Sequence, residues 1–389
     1  MTERCFGEPD GPTGRANGQE RHSSWLELFF DLAFVFATTT VSARLGPDTH
    51  ITWGDALATL GLFTALWWAW IGQAFFDTRF DCDDVPQRLS VLVAMVGAGA
   101  MAVGVTEAPH TLLFPIGYLI VRGTLLALYL RVRASQAGFH WVTRIYLPGF
   151  GLGWLLWFGS LFTPVGVRPA LWAIGLGVEL LTPWVGRYLL RQAPVHTSHL
   201  PERIGLFTII LLGVTLTDLL DAVSDTPSAS VLASAVVAFC VPASIWWVYS
   251  IFVSRGVRRD RLRGGQAYAY LHGGLGAAIL LLGWGLGQSL AQVGTDAEDL
   301  PTGLRLLLAA AVGTWMVCGA GLQRITFGTV SAARLLVTVG GVTLAAVVSM
   351  TMPTPVATIV ALAVVLAGYA FAISRHLTRI GQPTAPLGT

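Results

Sequence analysis

Apolar runs of about 20 residues recur along the chain, separated by short stretches rich in charge, Pro or Gly. A helix that crosses a ~30 Å hydrocarbon core needs about 20 mostly apolar residues. Twelve runs meet that length, beginning near Trp25, Asp55, Leu89, Leu112, Ile145, Pro169, Ile204, Ala229, Ala267, Thr302, Ala332 and Pro355. Twelve spans use roughly 240 residues. The rest is short loops, a polar stretch up to Ser24 and a brief tail after Arg375, with no room for a soluble catalytic domain. The pattern predicts an all-α, polytopic membrane protein.

Composition agrees. Of 389 residues 54% are hydrophobic and 12% charged, with a mean hydropathy of +0.64. An average soluble domain carries about 25% charge, so a water-soluble globule and a disordered chain are both excluded. Cys5, Cys82, Cys240 and Cys318 form no CxxC and no metal spacing. The first residues carry Glu3, Glu8, Pro9, Asp10 and Pro12 without an apolar centre, unlike a cleaved signal peptide.

All 24 basic residues are Arg. With the N-terminus in the cytoplasm, twenty of them fall on cytoplasmic segments. Only Arg44, Arg168 and Arg305 fall on the opposite side, and Arg122 lies within a span. The positive-inside rule therefore predicts cytoplasmic termini and supports the count of twelve. A net charge of +2 offers nothing to nucleic acid.

The first span opens Leu26-Glu27-Leu28-Phe29-Phe30-Asp31, and the second contains Trp67-Trp68-Ala69-Trp70. The seventh opens Glu202-Arg203-Ile204-Gly205-Leu206-Phe207, and the eighth contains Trp246-Trp247-Val248-Tyr249. Phe30 to Trp67 is 37 positions and Phe207 to Trp246 is 39. The echo predicts two parallel six-helix units, 25–192 and 193–375, flanked by cytoplasmic tails 1–24 and 376–389. Parallel repeats of this kind occur in transporters.

Charges within spans are costly, so each demands a partner, a cavity or a role. Glu27 and Asp31 lie four apart on one helical face. They read either as a cation or proton site or as a structural ion pair with Arg88, Arg122 or Arg203. Arg122 and Glu179 are the deepest opposite charges of the first half; they can pair, or Glu179 can face an aqueous path. Asp218 is a candidate for an outer vestibule. His272 reads as a hydrogen-bonded packing residue or a proton relay. Asp77, Asp81, Asp83 and Asp84 read as an acidic cytoplasmic mouth, a solvated cap without the Gly and Glu of a calcium loop. His196, His199 and Glu202 have an i, i+3, i+6 spacing, but Pro201 interrupts it and no fourth ligand is evident. Glu202 and Arg203 then serve to begin and anchor the seventh span. No hydrolase, zincin, Walker or dinucleotide motif occurs, so the chain is expected to be neither an enzyme nor a cofactor or metal carrier. Small-residue runs such as Gly97-Ala98-Gly99-Ala100 are expected to serve close helix packing.

Several of these motifs carry a resemblance. Ser24-Trp25-Leu26-Glu27-Leu28-Phe29-Phe30-Asp31-Leu32-Ala33-Phe34-Val35-Phe36-Ala37, Trp67-Trp68-Ala69-Trp70, Arg79-Phe80-Asp81-Cys82-Asp83-Asp84 and His199-Leu200-Pro201-Glu202-Arg203-Ile204-Gly205-Leu206-Phe207 resemble the bacterial low temperature requirement protein A family over nearly the whole chain. The resemblance implies a bacterial inner-membrane protein connected by name with growth in the cold; it brings no substrate. Family members commonly carry an acid where this chain has Val214, and another where Ser250 follows Tyr249, so the second half departs from the pattern. Over about a dozen residues, Phe29-Phe30-Asp31 and Arg203-x3-Phe207 also resemble the Arg-x3-Phe-Ser-Asp signature of potassium channels built from six-helix units.

Three functions follow as expectations. A transporter or channel for a small solute or cation comes first, with Glu27, Asp31, Arg122, Glu179, Asp218 and His272 as pathway candidates. A non-transporting adaptor or envelope-maintenance protein is second. An intramembrane enzyme is last, because the histidines and acids do not visibly converge. The expected partners are the lipid bilayer and a small solute or cation, with a homo-oligomer as an option.

Overall fold

The structure is a computed structural model, and it describes residues 24–46, 51–80, 84–135, 140–190, 199–225, 227–254, 265–295 and 297–380. The elements are all helical: α1 Trp25–Ala43, α2 Trp53–Arg79, α3 Val85–Gly104, α4 Leu113–Ser135, α5 His140–Ser160, α6 Arg168–Val185, the single turn α7 Arg187–Leu190, α8 His199–Asp225, α9 Ala229–Ser254, α10 Gln266–Gly294, α11 Thr302–Phe327, α12 Ala332–Thr351 and α13 Pro355–Ile380. Twelve long helices thus begin within a few residues of the twelve expected positions. The last runs five residues beyond Arg375, where a tail was expected.

Among the described residues, nine helices are long and apolar enough to cross a membrane; α2, α5 and α6 are not among them. Burial explains α2. From Leu62 to Thr78 almost every residue is buried, so this helix faces protein, not lipid. A helix enclosed by others is free to carry Trp, Gln and Asp. In α5 and α6, Trp, Gly and Pro dilute the aliphatic content.

Two compact units are distinguished. One comprises 1–46, 53–207 and 262–270, and the other 47–52, 208–261 and 271–389, so the division falls within α8 and α10. In the first unit α2 is the centre, packing on α1, α4 and α6, while α3 packs on α1 and α4, and α5 joins α4 to α6. At one end of this unit, Arg44 donates to the carbonyls of Thr106 and Ala108, and Arg168 to those of Pro109 and His110. The C-terminus of α1, the α3–α4 connection and the N-terminus of α6 therefore meet there, as alternating helix directions require.

The second unit pairs α9 with α13, α11 with α12 and α12 with α13. Gly283 and Gly287 of α10 lie against Asp218 of α8, and Gly285 lies against Leu308 of α11. The two Trp pairs differ in surroundings. Trp67 and Trp68 are buried in the first unit, whereas Trp246 and Trp247 of the second are 46% and 55% exposed.

Close approach of α3 and α4 rests on glycine. A Cβ at Gly117 would stand 2.5 Å from the Gly97 carbonyl oxygen and 2.7 Å from the Met101 nitrogen, whereas one at Gly99 would meet nothing within 4 Å. Forcing extra volume into such a contact costs about 1–3 kcal/mol or more. Gly117→Val is therefore expected to lower the thermal midpoint of the purified protein in detergent, with Gly99→Val close to wild type. Equal midpoints for the two variants would refute the close-approach account.

Candidate functional site

At the other end of the first unit, charged groups from three helices converge. Ser24 and Glu27 form a reciprocal capping box at the start of α1: the Ser24 hydroxyl accepts from the Glu27 amide at 3.2 Å, and the Glu27 carboxylate accepts from the Ser24 amide at 2.7 Å. This fixes the Glu27 side chain and places Asp31, one turn on, on the same face. From α2, Trp70, Gln73 and Asp77 project at helical spacing toward that face.

Arg203, in the second turn of α8, joins them. Its Nη2 donates to Asp31 Oδ1 at 2.6 Å and its Nε reaches Asp31 Oδ2 at 3.3 Å, a bidentate grip. Its Nη1 donates to Asp77 Oδ2 at 2.8 Å and lies 3.7 Å from Glu27 Oε1. Arg203 and Asp31 are fully buried and Glu27 is 9% exposed. The Trp70 indole N–H donates to Asp31 Oδ1 at 2.7 Å, and the amides of Gln73 and Gln87 donate to Asp77 Oδ1 at 2.8 and 3.0 Å. Phe207, one turn past Arg203, packs on Trp70 and Trp67 with ring centroids 4.2 and 5.3 Å away.

His199 completes the cluster. Its Nε2 lies 3.3 Å from Glu27 Oε2 and its Nδ1 lies 3.3 Å from Thr78 Oγ1. The Thr78 hydroxyl gives its own proton to the Ala74 carbonyl at 2.7 Å. Both ring nitrogens of His199 therefore face acceptor oxygens.

Several sequence expectations change here. Asp77 does not belong to a solvated mouth: α2 continues through Arg79, which carries Asp77 inward to Arg203. Asp84 caps α3, accepting from the Gln87 amide at 3.0 Å, and pairs with Arg131. Asp81 and Asp83 lie outside the described residues, as does His196. Arg203 is more than a helix anchor, because it binds Asp31 and Asp77 and flanks Glu27. His199 does meet the acids, contrary to the expectation that they stay apart. Glu202 sits on the half-buried side of α8. Among the described residues, no group of three or more His, Cys, Asp or Glu side chains is arranged to hold a metal ion. The Ser24-x2-Glu27 box and the Trp70, Gln73, Asp77 stripe are the signals that point to this site from sequence.

A second charged pair lies deeper in the same unit. Arg122 Nη2 of α4 is 2.7 Å from Glu179 Oε2 of α6, with both side chains fully buried. The Tyr118 hydroxyl donates to Glu179 at 2.9 Å, and the guanidinium lies 5.0–5.8 Å from the ring centroids of Phe150, Tyr118 and Trp68. Gly72 and Gly153 make the room. A Cβ on Gly72 would collide with the Arg122 guanidinium, and one on Gly153 would stand 2.5 Å from Glu179 Cγ.

The remaining candidates belong to the second unit. The Tyr249 hydroxyl and His272 Nε2 are 3.2 Å apart. Asp218 Oδ2 is buried beside Gly283 and has no hydrogen-bond partner among the described residues.

Removing one partner of a buried ion pair costs about 3–5 kcal/mol, whereas replacing both by apolar groups is often neutral. Arg122→Met is therefore expected to lower the thermal midpoint sharply, and Arg122→Met with Glu179→Leu to recover most of the loss. Additive losses in the double variant would show that the two side chains do not act as a pair.

Comparison with known proteins places these features in a family. An uncharacterized protein of Rhizobium meliloti (strain 1021) is 32% identical over 250 residues, a match that spans 60% of this chain and 60% of that protein. No solved structure matches the chain. The family described as bacterial low temperature requirement A protein (LtrA) matches residues 22–370, which include both charged clusters and nearly all of the helices. The chain belongs to the bacterial low temperature requirement A family.

Proposed function

We propose that this multi-span helical protein moves a small solute or ion across the bacterial cytoplasmic membrane, and that the Arg203 cluster is the part of the path that responds to a proton or cation. The observation that carries this reading is the convergence of Glu27, Asp31 and Asp77 on one guanidinium, with His199 joined to Glu27. Three carboxylates on one cation, one of them also beside an imidazole, are electrostatically coupled, so a charge change at one alters the hold on the others. Intramembrane ionisable groups are functional by default, and a buried ion pair by itself is weak evidence of a stabilising role. His199 adds a place where a proton on either ring nitrogen meets an acceptor.

The reading includes cytoplasmic termini and two parallel six-helix halves. The Arg asymmetry supports the orientation. So does the first unit, where Arg44 and Arg168 share one end and the Arg203 cluster, Asp84 and Arg131 occupy the other. The family's name is the pointer to a role in cold or stress adaptation.

A second reading, a non-transporting adaptor or envelope-maintenance protein, is favoured by one observation: Arg122 and Glu179 are closed on each other with no exposed surface. Under it, the charged clusters hold helices together and nothing passes.

Purified full-length protein in proteoliposomes separates the two. Proton, sodium, potassium and amino-acid fluxes above those of protein-free vesicles are expected for at least one probe. His199→Gln is expected to abolish that flux while the thermal midpoint stays near wild type, and Asp77→Asn to abolish it at a lowered midpoint, with flux scaled to the folded protein reconstituted. Absence of flux for every probe, with Asp77→Asn changing only stability or abundance, would establish the second reading instead. In cells, loss of the protein is expected to impair growth at low temperature, with rescue by wild type and not by Asp77→Asn.

A further inference from the structure

A different kind of charge is buried in the second unit. Arg334, in the first turn of α12, is 3% exposed. Its Nε donates to Gln323 Oε1 at 2.9 Å, and its Nη1 donates to the Tyr369 hydroxyl at 2.8 Å and to the Thr338 hydroxyl. Every one of these partners is neutral. No carboxylate pairs with Arg334 among the described residues, and Nη2 takes no hydrogen bond there. The reason is written in the sequence: α9, α10, α11, α12 and α13 contain no Asp or Glu, and none follows Asp299.

An isolated charge enclosed in low-dielectric surroundings is strongly unfavourable unless a counter-charge is supplied. Here the helix worsens the imbalance. The N-terminus of α12 is the positive end of its dipole, where a cation is disfavoured and an anion favoured. Ser331 caps that end, its hydroxyl accepting from the Arg334 amide at 3.1 Å.

Arg334 also faces a cavity. A space of ≈ 30 Å³ is lined by Arg334, Gln323, Tyr369, Tyr249, Trp315 and Gly319, among others. One water needs about 10–15 Å³ on the same measure, so the space suits one small ion or a pair of waters. The Tyr369 hydroxyl accepts from Arg334 and keeps its own proton to donate. Tyr249 also lines the space, with its hydroxyl 3.2 Å from His272 Nε2. Gly319 leaves its side open, since a Cβ there would meet nothing within 4 Å.

We infer that this cavity is a binding site for a small monovalent anion of about chloride size, held by Arg334 with Tyr369 as a neutral donor. The anion supplies the charge that the five surrounding helices lack. The inference is independent of whether anything is transported.

Chloride is the probe that tests it. Full-length protein is purified in detergent in sodium gluconate, and gluconate is exchanged for chloride at constant ionic strength. A ligand that binds only the folded state raises the thermal midpoint, here by about 2–4 °C at saturation. Bromide is expected to replace chloride. Arg334→Gln is expected to abolish the response, and Gly319→Leu to abolish it by filling the cavity while Arg334 stays in place. If Arg334→Gln does not fold, Gly319→Leu decides. Equal midpoints in gluconate and chloride, or a full chloride response in Gly319→Leu, would overturn the inference and leave the cavity to water.

Discussion

The grip of Arg203 on Asp31 and Asp77 is the interaction on which the first unit depends. It draws α8 against α1 and α2 at the same level, and Gln87 extends the hold to α3 through Asp77. Each group would be costly alone in an apolar setting, so the partners are needed together. The surrounding aromatic packing follows from that demand. Trp70 is required both to donate to Asp31 and to support Phe207, and Phe207 lies one turn beyond Arg203 on the same helix. The polar contact and the apolar contact therefore set one register for α8.

The two units treat buried charge in opposite ways. In the first, three carboxylates surround one guanidinium, one of them also meets an imidazole, and a further Arg–Glu pair is packed among bulky rings. In the second, the described cavity-lining helices carry no acid, and Arg334 is held by an amide and two hydroxyls. The echo of Phe30 and Trp67 in Phe207 and Trp246 does not extend to this chemistry. Trp246 and Trp247 are 46% and 55% exposed.

Much of the architecture was legible from apolar run length alone, because the bilayer imposes one length on every spanning helix. Arg122 with Glu179 was legible as one of two alternatives, a pair or an acid facing an aqueous path, and the structure has the pair. Asp77 was not. A run of four acids resembles a solvated loop, and only the continuation of α2 to Arg79 turns the first of them inward. Arg203 was visible as a charge but not as a centre, since its partners lie more than 120 positions away. Arg334 was hidden by the orientation argument itself, which counts every terminal Arg as a marker of the cytoplasmic side. Finding it required knowing that its neighbours on four other helices are neutral.

The space around Arg122 and Glu179 has a bearing on how such a sequence can drift. Gly72 admits the guanidinium and Gly153 admits the carboxylate, so four positions on α2, α4, α5 and α6 form one unit of change. A lineage that keeps the pair must keep both glycines, since a single methyl evicts one charge and strands the other. A lineage that loses the pair leaves two voids, and larger residues at positions 72 and 153 then become favourable. The two charges and the two missing side chains should therefore be inherited together.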